Sequence, residues 1–406
     1  MKKRPKSARE LGIMEGFPPP FNKRVSLENW DRPPFNRWSF QNIREVLPTV
    51  GVARGNSPVQ KLEHDDSNFD NLIVNHPRNG SRSTVSKVLK HSYTDGFIII
   101  HKGKIVYERY LNDMQENSLH LSQSVAKSVT ATVCGILLHR GLIDRDAPLA
   151  ELIPELQVCG YADATLRHVL DMRSGVRFGE EYTDPDSDIA MVDYAAGWKP
   201  HRPGKPESVL DIPLILPKER EHGGHFQYRS IETDVMAWVM QRATGKPIAQ
   251  LVSEELWQPM GAEFDASFTV DRAGYALCDG GFNAALRDYA RVGLLYLNHG
   301  KVDNHQIVPE EWVRETREDG EIEAFAHSHW AAHWPKGAYK NQFWIRDVEK
   351  QQIMARGVFG QAIYVDPEND LVMASLSTWP DFLNSDFVLD ELDAVDAISQ
   401  ELNSQA

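Results

Sequence analysis

The sequence is poor in cysteine and in long apolar runs, and each shortage excludes a class of protein. Three cysteines among 406 residues, Cys134, Cys159 and Cys278, make an odd number without metal-type spacing, which argues against a disulfide framework. No stretch reaches the ~18 consecutive apolar residues of a membrane span. The basic start "MKKRPKSAR" is followed by "ELGIMEGFPPPFNKR", which lacks the apolar region of a signal peptide. We therefore expect a cytoplasmic protein.

Positive charge is scarce as well. The chain has 44 Lys and Arg against 58 Asp and Glu, and its formal charge is -14. Because nucleic-acid binding needs clustered Lys and Arg, we expect no nucleic-acid partner. The hydrophobic content of 41% is enough for a sizeable core. The length allows roughly two or three units of ordinary domain size.

Strand patterns occur in two distant parts of the chain. "DGFIIIHKGKIVYERYL" holds two β-branched and aromatic runs around Lys102-Gly103-Lys104, which predicts a hairpin. "NQFWIRDV", "GQAIYVDPEN" and "LVMASLST" are spaced like an antiparallel meander, and the amphipathic helix "FVLDELDAVDAISQEL" follows them. We therefore predict an α+β fold, an α/β sandwich in which helices flank one antiparallel sheet built from N- and C-terminal segments.

The regions between these strands suggest a division into domains. Residues 1–90 contain "FPPPF" and "DRPPFNRW" and few long apolar runs, so we predict an N-terminal arm whose aromatic residues could bridge two subunits of a homodimer. Residues 91–123 and 226–406 are assigned to the sheet domain. Residues 124–225 are assigned to an inserted, mostly helical domain that opens with a buried helix from Ser124 to about Gly141.

That helix carries the first chemical signal. Lys127 is the only charged residue between His120 and His139, and Ser124 lies three residues before it. Side chains at i and i+3 share a helix face and lean toward the N-terminus, so the amine is expected near the Ser124 hydroxyl. A desolvated lysine loses its proton more readily, and a helix start favours an oxyanion. The alternative is that Ser124 caps the helix and Lys127 reaches solvent.

Two further segments add weaker signals. Tyr228 precedes a helix that begins at Ser230 in "HFQYRSIETD", where a phenol would be held on rigid backbone; packing of the helix entry is the alternative, with Ser230 as its N-cap. Gly357 and Gly360 in "MARGVFGQAIYVDP" stand at a predicted strand start and allow close backbone approach. A β-bulge is the alternative.

Taken in this order, the motifs resemble those of the serine β-lactamase and penicillin-binding-protein superfamily. The similarity is to its class C-type branch, with the family VIII carboxylesterases and 6-aminohexanoate-dimer hydrolases. It extends over roughly residue 90 to the end, and includes "TLRHVLDMRSGV" and "DGGFNAALRDYARVGLLYLNHG"; "NWDRPPFNRWSFQNIREVLP" resembles the leader of nylon-hydrolase-like members. The resemblance implies a cofactor-independent serine hydrolase that cleaves an ester or amide of a small molecule through an acyl-enzyme.

The resemblance also implies roles for individual residues. Ser124 would be the acylated nucleophile, Lys127 its proton acceptor or relay, and Tyr228 the base that later protonates the leaving group. The backbone N–H groups of Ser124 and Val358 would form the oxyanion hole. Substrate-binding roles would fall to residues in three loops and at one strand: Tyr182, Asp193, Trp198, Ser230, Arg356 and Gly357.

Two departures from the family pattern bear on the substrate. Ser230 replaces the asparagine of the Tyr-x-Asn motif, and Ala355-Arg356-Gly357 stands where the family has Lys-Thr-Gly. The family lysine helps to bind the carboxylate of penicillins and peptides, and Arg356 could substitute for it only by facing the cleft. Esterase and amidase members tolerate such changes, so we favour an esterase or amidase over a β-lactamase or D-Ala-D-Ala carboxypeptidase.

Other classes stay open as alternatives. His222, His225, His327, His329 and His333 could belong to a metallohydrolase, although no acidic ligand stands at a convincing spacing, and we predict no metal. A lipase-type α/β-hydrolase is disfavoured because Gly-x-Ser-x-Gly is missing. A catalytically silent binding protein on the same fold is the last alternative, and the presence of all three catalytic residue types argues against it.

Overall fold

A computed structural model describes residues 4–405 of the chain. Its strands are β1 (Thr49–Val52), β2 (Glu63–His64), β3 (Ile73–His76), β4 (Ser81–Thr84), β5 (Thr94–His101), β6 (Lys104–Tyr110), β7 (His120–Leu121), β8 (Ala266–Thr269), β9 (Phe282–Ala284), β10 (Lys301–Val302), β11 (His305–Gln306), β12 (Ala338–Lys340), β13 (Phe343–Asp347), β14 (Gln352–Gly357), β15 (Gln361–Asp366) and β16 (Leu371–Ser377). Its α-helices are α1 (Asn36–Ser39), α2 (Val85–His91), α3 (Val125–His139), α4 (Leu149–Leu152), α5 (Leu166–Leu170), α6 (Asp188–Ala195), α7 (Ile231–Thr244), α8 (Ile248–Val252), α9 (Leu286–Leu297), α10 (Glu310–Glu318), α11 (Ile322–Phe325) and α12 (Ser385–Ser404).

The large sheet joins the two distant strand regions. Its order is β12-β13-β14-β15-β16-β5-β6-β2, and all pairs are antiparallel except β2 with β6. The predicted α+β fold is therefore confirmed. The hairpin β5–β6 turns at Lys102 and Gly103, which both have positive φ, as a tight hairpin turn requires. The predicted meander missed β12 and β14, and Gly357 ends β14 instead of opening a strand.

Helices cover both faces of this sheet, which explains the uninterrupted apolar run in β5. Ile98 and Ile100 point into a core shared with α3 and α9, whereas Phe97 and Ile99 point into a core shared with α2 and α12. Successive side chains of a strand face opposite sides, so a strand buried on both faces is apolar at every position. Helix α9 packs closely because Gly293 has no Cβ; a Cβ there would lie 2.6 Å from Val372.

A second sheet and a helical layer lie beside the large sheet. The second sheet has the order β1-β8-β9-β7, and β7 leads directly into α3. Helix α3 is buried from Val125 to Leu137 and packs against α7 and α8, while α7 also packs on α5. These contacts place α7, which follows residue 225, with the helices of residues 124–225. The division into domains stays a prediction.

Two predictions from composition concern the cysteines and membrane spans. Cys134, Cys159 and Cys278 are all free thiols. Between residues 4 and 405, no helix combines the length and apolarity that crossing a membrane requires.

Candidate active site

Ser124 stands at the junction between β7 and α3. The preceding residue, Gln123, has a φ of 49°, and this left-handed residue turns the chain sharply from strand to helix. Ser124 occupies the N-cap position of α3, but its side chain makes no capping hydrogen bond. The capping alternative is therefore wrong, and the hydroxyl stays available to another partner.

That partner is Lys127. Its side chain is buried, at 1% exposure, and its Nζ donates hydrogen bonds to Ser124 Oγ at 2.9 Å and to the backbone oxygen of Asp279 at 2.6 Å. The expected stacking of amine over hydroxyl is thus present. Burial lowers the pKa of the amine, but the oxygen atoms of Tyr228, Asp279 and Glu180 outweigh it, and the pKa lies above its ordinary value. The prediction that desolvation frees the amine of its proton is wrong, because it ignored these groups.

Tyr228 faces this pair from the segment that leads into α7. Lys127 Nζ lies 5.2 Å from the centre of its ring. The ring stacks on Trp344, with centroids 5.3 Å apart and planes 20° apart, and meets the edge of Tyr339. Burial raises the pKa of the phenol, and Lys127 and the Ser124 hydroxyl oppose this rise. Ser124, Lys127 and Tyr228 therefore form one cluster.

The end of β14 approaches the same cluster. A Cβ on Gly357 would lie 2.5 Å from Ser122 O and 3.0 Å from Ser124 N, so only glycine brings this strand so close. Val358 comes next and lines the same cavity as Ser124. Within residues 4–405, neither the N–H of Ser124 nor that of Val358 donates to a protein acceptor. Two free donors beside a hydroxyl suit the binding of an oxyanion.

A narrow cavity of about 50 Å³ opens beside Ser124. Most of the predicted substrate-binding residues line it, namely Tyr182, Asp193, Trp198 and Ser230. The ring of Tyr182 stacks on Phe382 with centroids 5.5 Å apart, and Trp198 Nε1 donates to Thr269 Oγ1 at 3.1 Å. Burial raises the pKa of Asp193 to about 6 although Lys199, at 2.5 Å, opposes this shift.

Two predictions on the family's substrate motifs need correction. Ser230 is at the start of α7, but its side chain makes no capping hydrogen bond; instead its N–H donates to Glu180. Arg356 does not line the cavity, because successive strand residues face opposite sides. Gly357 faces Ser124, whereas the Arg356 guanidinium lies 3.6 Å from Glu391 on α12. The substrate-binding role predicted for Arg356 is therefore wrong.

The sequence analysis did not identify several residues that lie in or next to the cavity. Asp279 lines the cavity at 5% exposure, and burial raises the pKa of its carboxyl while Lys127 opposes the shift. Glu180 lies beside Lys127, and burial likewise raises its pKa. Trp30 and Asp31 come from the N-terminal segment, and Trp30 Nε1 donates to Trp198 O at 2.9 Å. An aspartate before paired glycines, in "CDGGFN", was the available signal for Asp279.

The histidines of the metallohydrolase alternative do not gather around this cavity. His225 contacts His327, with ring centroids 5.0 Å apart, while His222 bonds Asp163. Across the described residues, the one group of three potential metal ligands is His76, Asp390 and Asp393, which contains none of the histidines considered above.

Comparisons with known proteins agree with this geometry. The Beta-lactamase family model matches residues 69–397. The 6-aminohexanoate-dimer hydrolase of Paenarthrobacter ureafaciens is 33% identical over 387 residues, which cover 92% of this chain and 95% of that protein.

Two solved structures have a fold similar to that of this chain. A Bacillus anthracis protein assigned by name to the 6-aminohexanoate-dimer hydrolases has a TM-score of 0.86 and 28% identity, and the match covers 95% of this chain and 99% of that one. A family VIII carboxylesterase shares the fold, with a TM-score of 0.57 and 17% identity over 77% of this chain and 96% of that one. This chain therefore belongs to the β-lactamase family of serine hydrolases, in the branch that contains the 6-aminohexanoate-dimer hydrolases.

Proposed function

We propose that this protein hydrolyses a linear amide or ester of a small molecule through an acyl-enzyme on Ser124. The observation that carries the proposal is the buried contact of 2.9 Å between Lys127 Nζ and Ser124 Oγ, in a cluster that also contains Tyr228. The hydroxyl opens onto a cavity where a carbonyl carbon can approach it. Attack by Ser124 Oγ forms the acyl ester, expels the amine or alcohol, and leaves the ester for hydrolysis by water.

The protonation states of the cluster favour Tyr228 as the base. Lys127 Nζ lies 2.9 Å from Ser124 Oγ and its pKa is raised, which favours the ammonium over the free amine as its resting form and makes it the poorer proton acceptor. Once the Lys127–Tyr228 pair has lost one proton, the phenolate beside the ammonium can take the Ser124 proton. Tyr228 then delivers that proton to the leaving nitrogen or oxygen. Lys127 stays charged and stabilises the negative charge as it passes from the Tyr228 oxygen to Ser124 Oγ.

The free N–H groups of Ser124 and Val358 would hold the carbonyl oxygen as it gains charge. Removal of one such donor typically costs about 3 kcal/mol of transition-state stabilisation. The contact of Gly357 with the backbone of Ser122 and Ser124 supports this role, because it sets how far Val358 stands from Ser124.

Two observations favour a linear substrate over a β-lactam. The cationic residue of the family's Lys-Thr-Gly motif is absent, and Arg356 is turned toward Glu391. The relative with 33% identity along nearly its whole length is named a 6-aminohexanoate-dimer hydrolase, not a β-lactamase. Action in the cytoplasm and assembly into a homodimer stay predictions of the sequence.

Intact-mass measurement after incubation with p-nitrophenyl esters, linear amides and β-lactams tests the proposal. We expect an acyl adduct on the wild-type protein with esters or amides, and none on Ser124→Ala. Ser404→Ala, which changes an exposed serine at the end of α12, is the matched control and should keep the adduct. Full turnover by Ser124→Ala would show that the chemistry does not pass through Ser124. A folded wild-type protein that neither turns over nor forms an adduct with any compound would leave the silent binding protein as the better interpretation.

A further inference from the structure

The turn that contains Val358 includes a residue in an unfavourable conformation. Phe359 has a φ of 62° and a ψ of 13°, in the left-handed region that a bulky side chain rarely adopts. Its N–H donates to Phe382 O at 2.9 Å, and its carbonyl oxygen accepts from the N–H of Trp379 at 3.2 Å. Such a conformation persists only where the surrounding structure fixes it. The contacts of Phe359 therefore hold the turn in which the N–H of Val358 lies.

One of these contacts comes from the N-terminal arm. Phe40 directly follows α1, and its buried ring meets the ring of Phe359 edge-on, with centroids 5.2 Å apart and planes at 86°. Phe40 also contacts the strand that leads to Ser124. Its carbonyl oxygen accepts from the N–H of Leu121 at 2.8 Å, and its ring meets the ring of His120 edge-on at 5.9 Å. Phe40 thus joins the two segments that carry the two proposed oxyanion donors.

A buried ion pair fixes this part of the arm to the large sheet. Arg37 on α1 donates from Nη1 to Asp95 Oδ1 and to Thr378 Oγ1, each at 2.8 Å. Asp95 lies on β5 and Thr378 directly follows β16, and these two strands are neighbours in the sheet. Hydrogen bonds between charged groups are short and strong, and here both partners are buried. Phe40 is therefore attached to a helix that is itself held in place.

The position of Phe40 excludes a direct contact with the substrate, since it does not line the cavity beside Ser124. It also precedes residue 69, where the match to the Beta-lactamase family model begins. We propose that Phe40 is a positioning residue, which holds the N–H of Val358 at the distance from the N–H of Ser124 that binding of an oxyanion requires. The N-terminal arm then contributes to catalysis although it carries none of the reacting groups. This inference rests on the proposed function, because Phe40 acts through the oxyanion hole.

Phe40→Leu tests this role, since leucine keeps an apolar side chain in place but removes the ring that meets Phe359 and His120. The matched control is Phe69→Leu, because Phe69 is also a buried ring of residues 1–90 but packs on Tyr107 in a separate part of the core. Rates are measured with p-nitrophenyl acetate and expressed per folded protein, with the folded fraction taken from circular dichroism. Inhibition by trifluoroacetophenone, a ketone that forms an oxyanion when a serine hydroxyl adds to it, is measured in parallel.

In Phe40→Leu we expect kcat to fall at least tenfold while KM changes less than threefold, because the lost interaction forms only in the transition state. The inhibition constant of the ketone should rise by a similar factor. Phe40→Met, whose flexible side chain refills the space, is a second variant in case leucine prevents folding, and the same two changes are expected. In Phe69→Leu, kcat and the inhibition constant should stay within twofold of the wild type.

Values of kcat and of the inhibition constant within twofold of the wild type in the folded Phe40 variants would overturn this inference and leave the proposed function standing. Equal losses in Phe40→Leu and Phe69→Leu would show a general effect of core packing and would also overturn it. A wild-type protein that turns over neither p-nitrophenyl esters nor linear amides would overturn the inference and the proposed function together.

Discussion

The contact between Gly357 and the turn before α3 allows a prediction that depends on shape alone. In Gly357→Ala the new Cβ would meet Ser122 O at 2.5 Å and Ser124 N at 3.0 Å, and both are backbone atoms that cannot rotate away. The φ of Gly357 is −127°, which alanine adopts freely, so the substitution introduces no backbone strain of its own. The end of β14 must therefore move away from Ser124.

The size of the effect follows from that movement. The strand has to retreat by about 0.5 Å before the shortest contact reaches 3.0 Å, below which real Cβ atoms hardly ever approach. Val358 moves with it, and its N–H no longer reaches an oxyanion held by the Ser124 N–H. Loss of one donor of this kind lowers kcat by about 100- to 1000-fold, which corresponds to roughly 3–4 kcal/mol.

The assay is the steady-state hydrolysis of a p-nitrophenyl ester, with urea unfolding measured in parallel. Gly51→Ala in β1 is the matched control, because Gly51 also lies in a strand and a Cβ there meets no atom within 4 Å. We expect Gly51→Ala to hydrolyse the ester like the wild type. If Gly357→Ala stays folded and retains kcat within threefold of the wild type, the close approach of β14 has no part in the chemistry. The oxyanion role of Val358 would then have to be abandoned.

Three further predictions concern the charges and protons around Ser124. Lys127→Ala should slow acylation at least 1000-fold, about 4 kcal/mol, because the negative charge on Ser124 Oγ and on the Tyr228 oxygen is no longer stabilised by the ammonium. A mild effect in single-turnover measurements would contradict the role of the ammonium. Tyr228→Phe keeps the ring stack on Trp344 but cannot protonate a leaving group, so kcat should fall further for amides than for activated esters, and equal losses would argue against this role. The pKa of Asp193 is raised to about 6, so the folded state holds this proton more tightly than the unfolded chain, and stability falls as pH rises from about 4 to 6. Urea unfolding at pH 4.5 and at pH 7 measures this fall in the free energy of unfolding, and in Asp193→Asn the fall should be smaller by roughly 2 kcal/mol. The same fall in Asp193→Asn and in the wild type would show that Asp193 titrates normally.

Local sequence patterns predicted the parts of this protein that local geometry decides. Residues at i and i+3 share a helix face whatever surrounds the helix, so the contact of Lys127 with Ser124 could be predicted from their spacing alone. The hairpin β5–β6 and the strands β15 and β16 likewise follow from apolar runs bounded by turn residues. Strand β14 was missed because its pattern ends in Arg356-Gly357, and a glycine there is equally compatible with the start of the next strand.

Everything that depends on groups distant in sequence was decided by the tertiary structure. The side to which Arg356 points is set by the register of β14 and the position of Glu391, and neither follows from the residues around Arg356. The pKa of Lys127 was predicted in the wrong direction. The apolar residues around Lys127 in the sequence indicate that it is buried, but they do not indicate that Tyr228, Asp279 and Glu180 lie close to its amine. The positions of two residues one helical turn apart are fixed by the few bonds between them. A pKa and the lining of a cavity depend instead on all groups that the fold brings within a few ångströms.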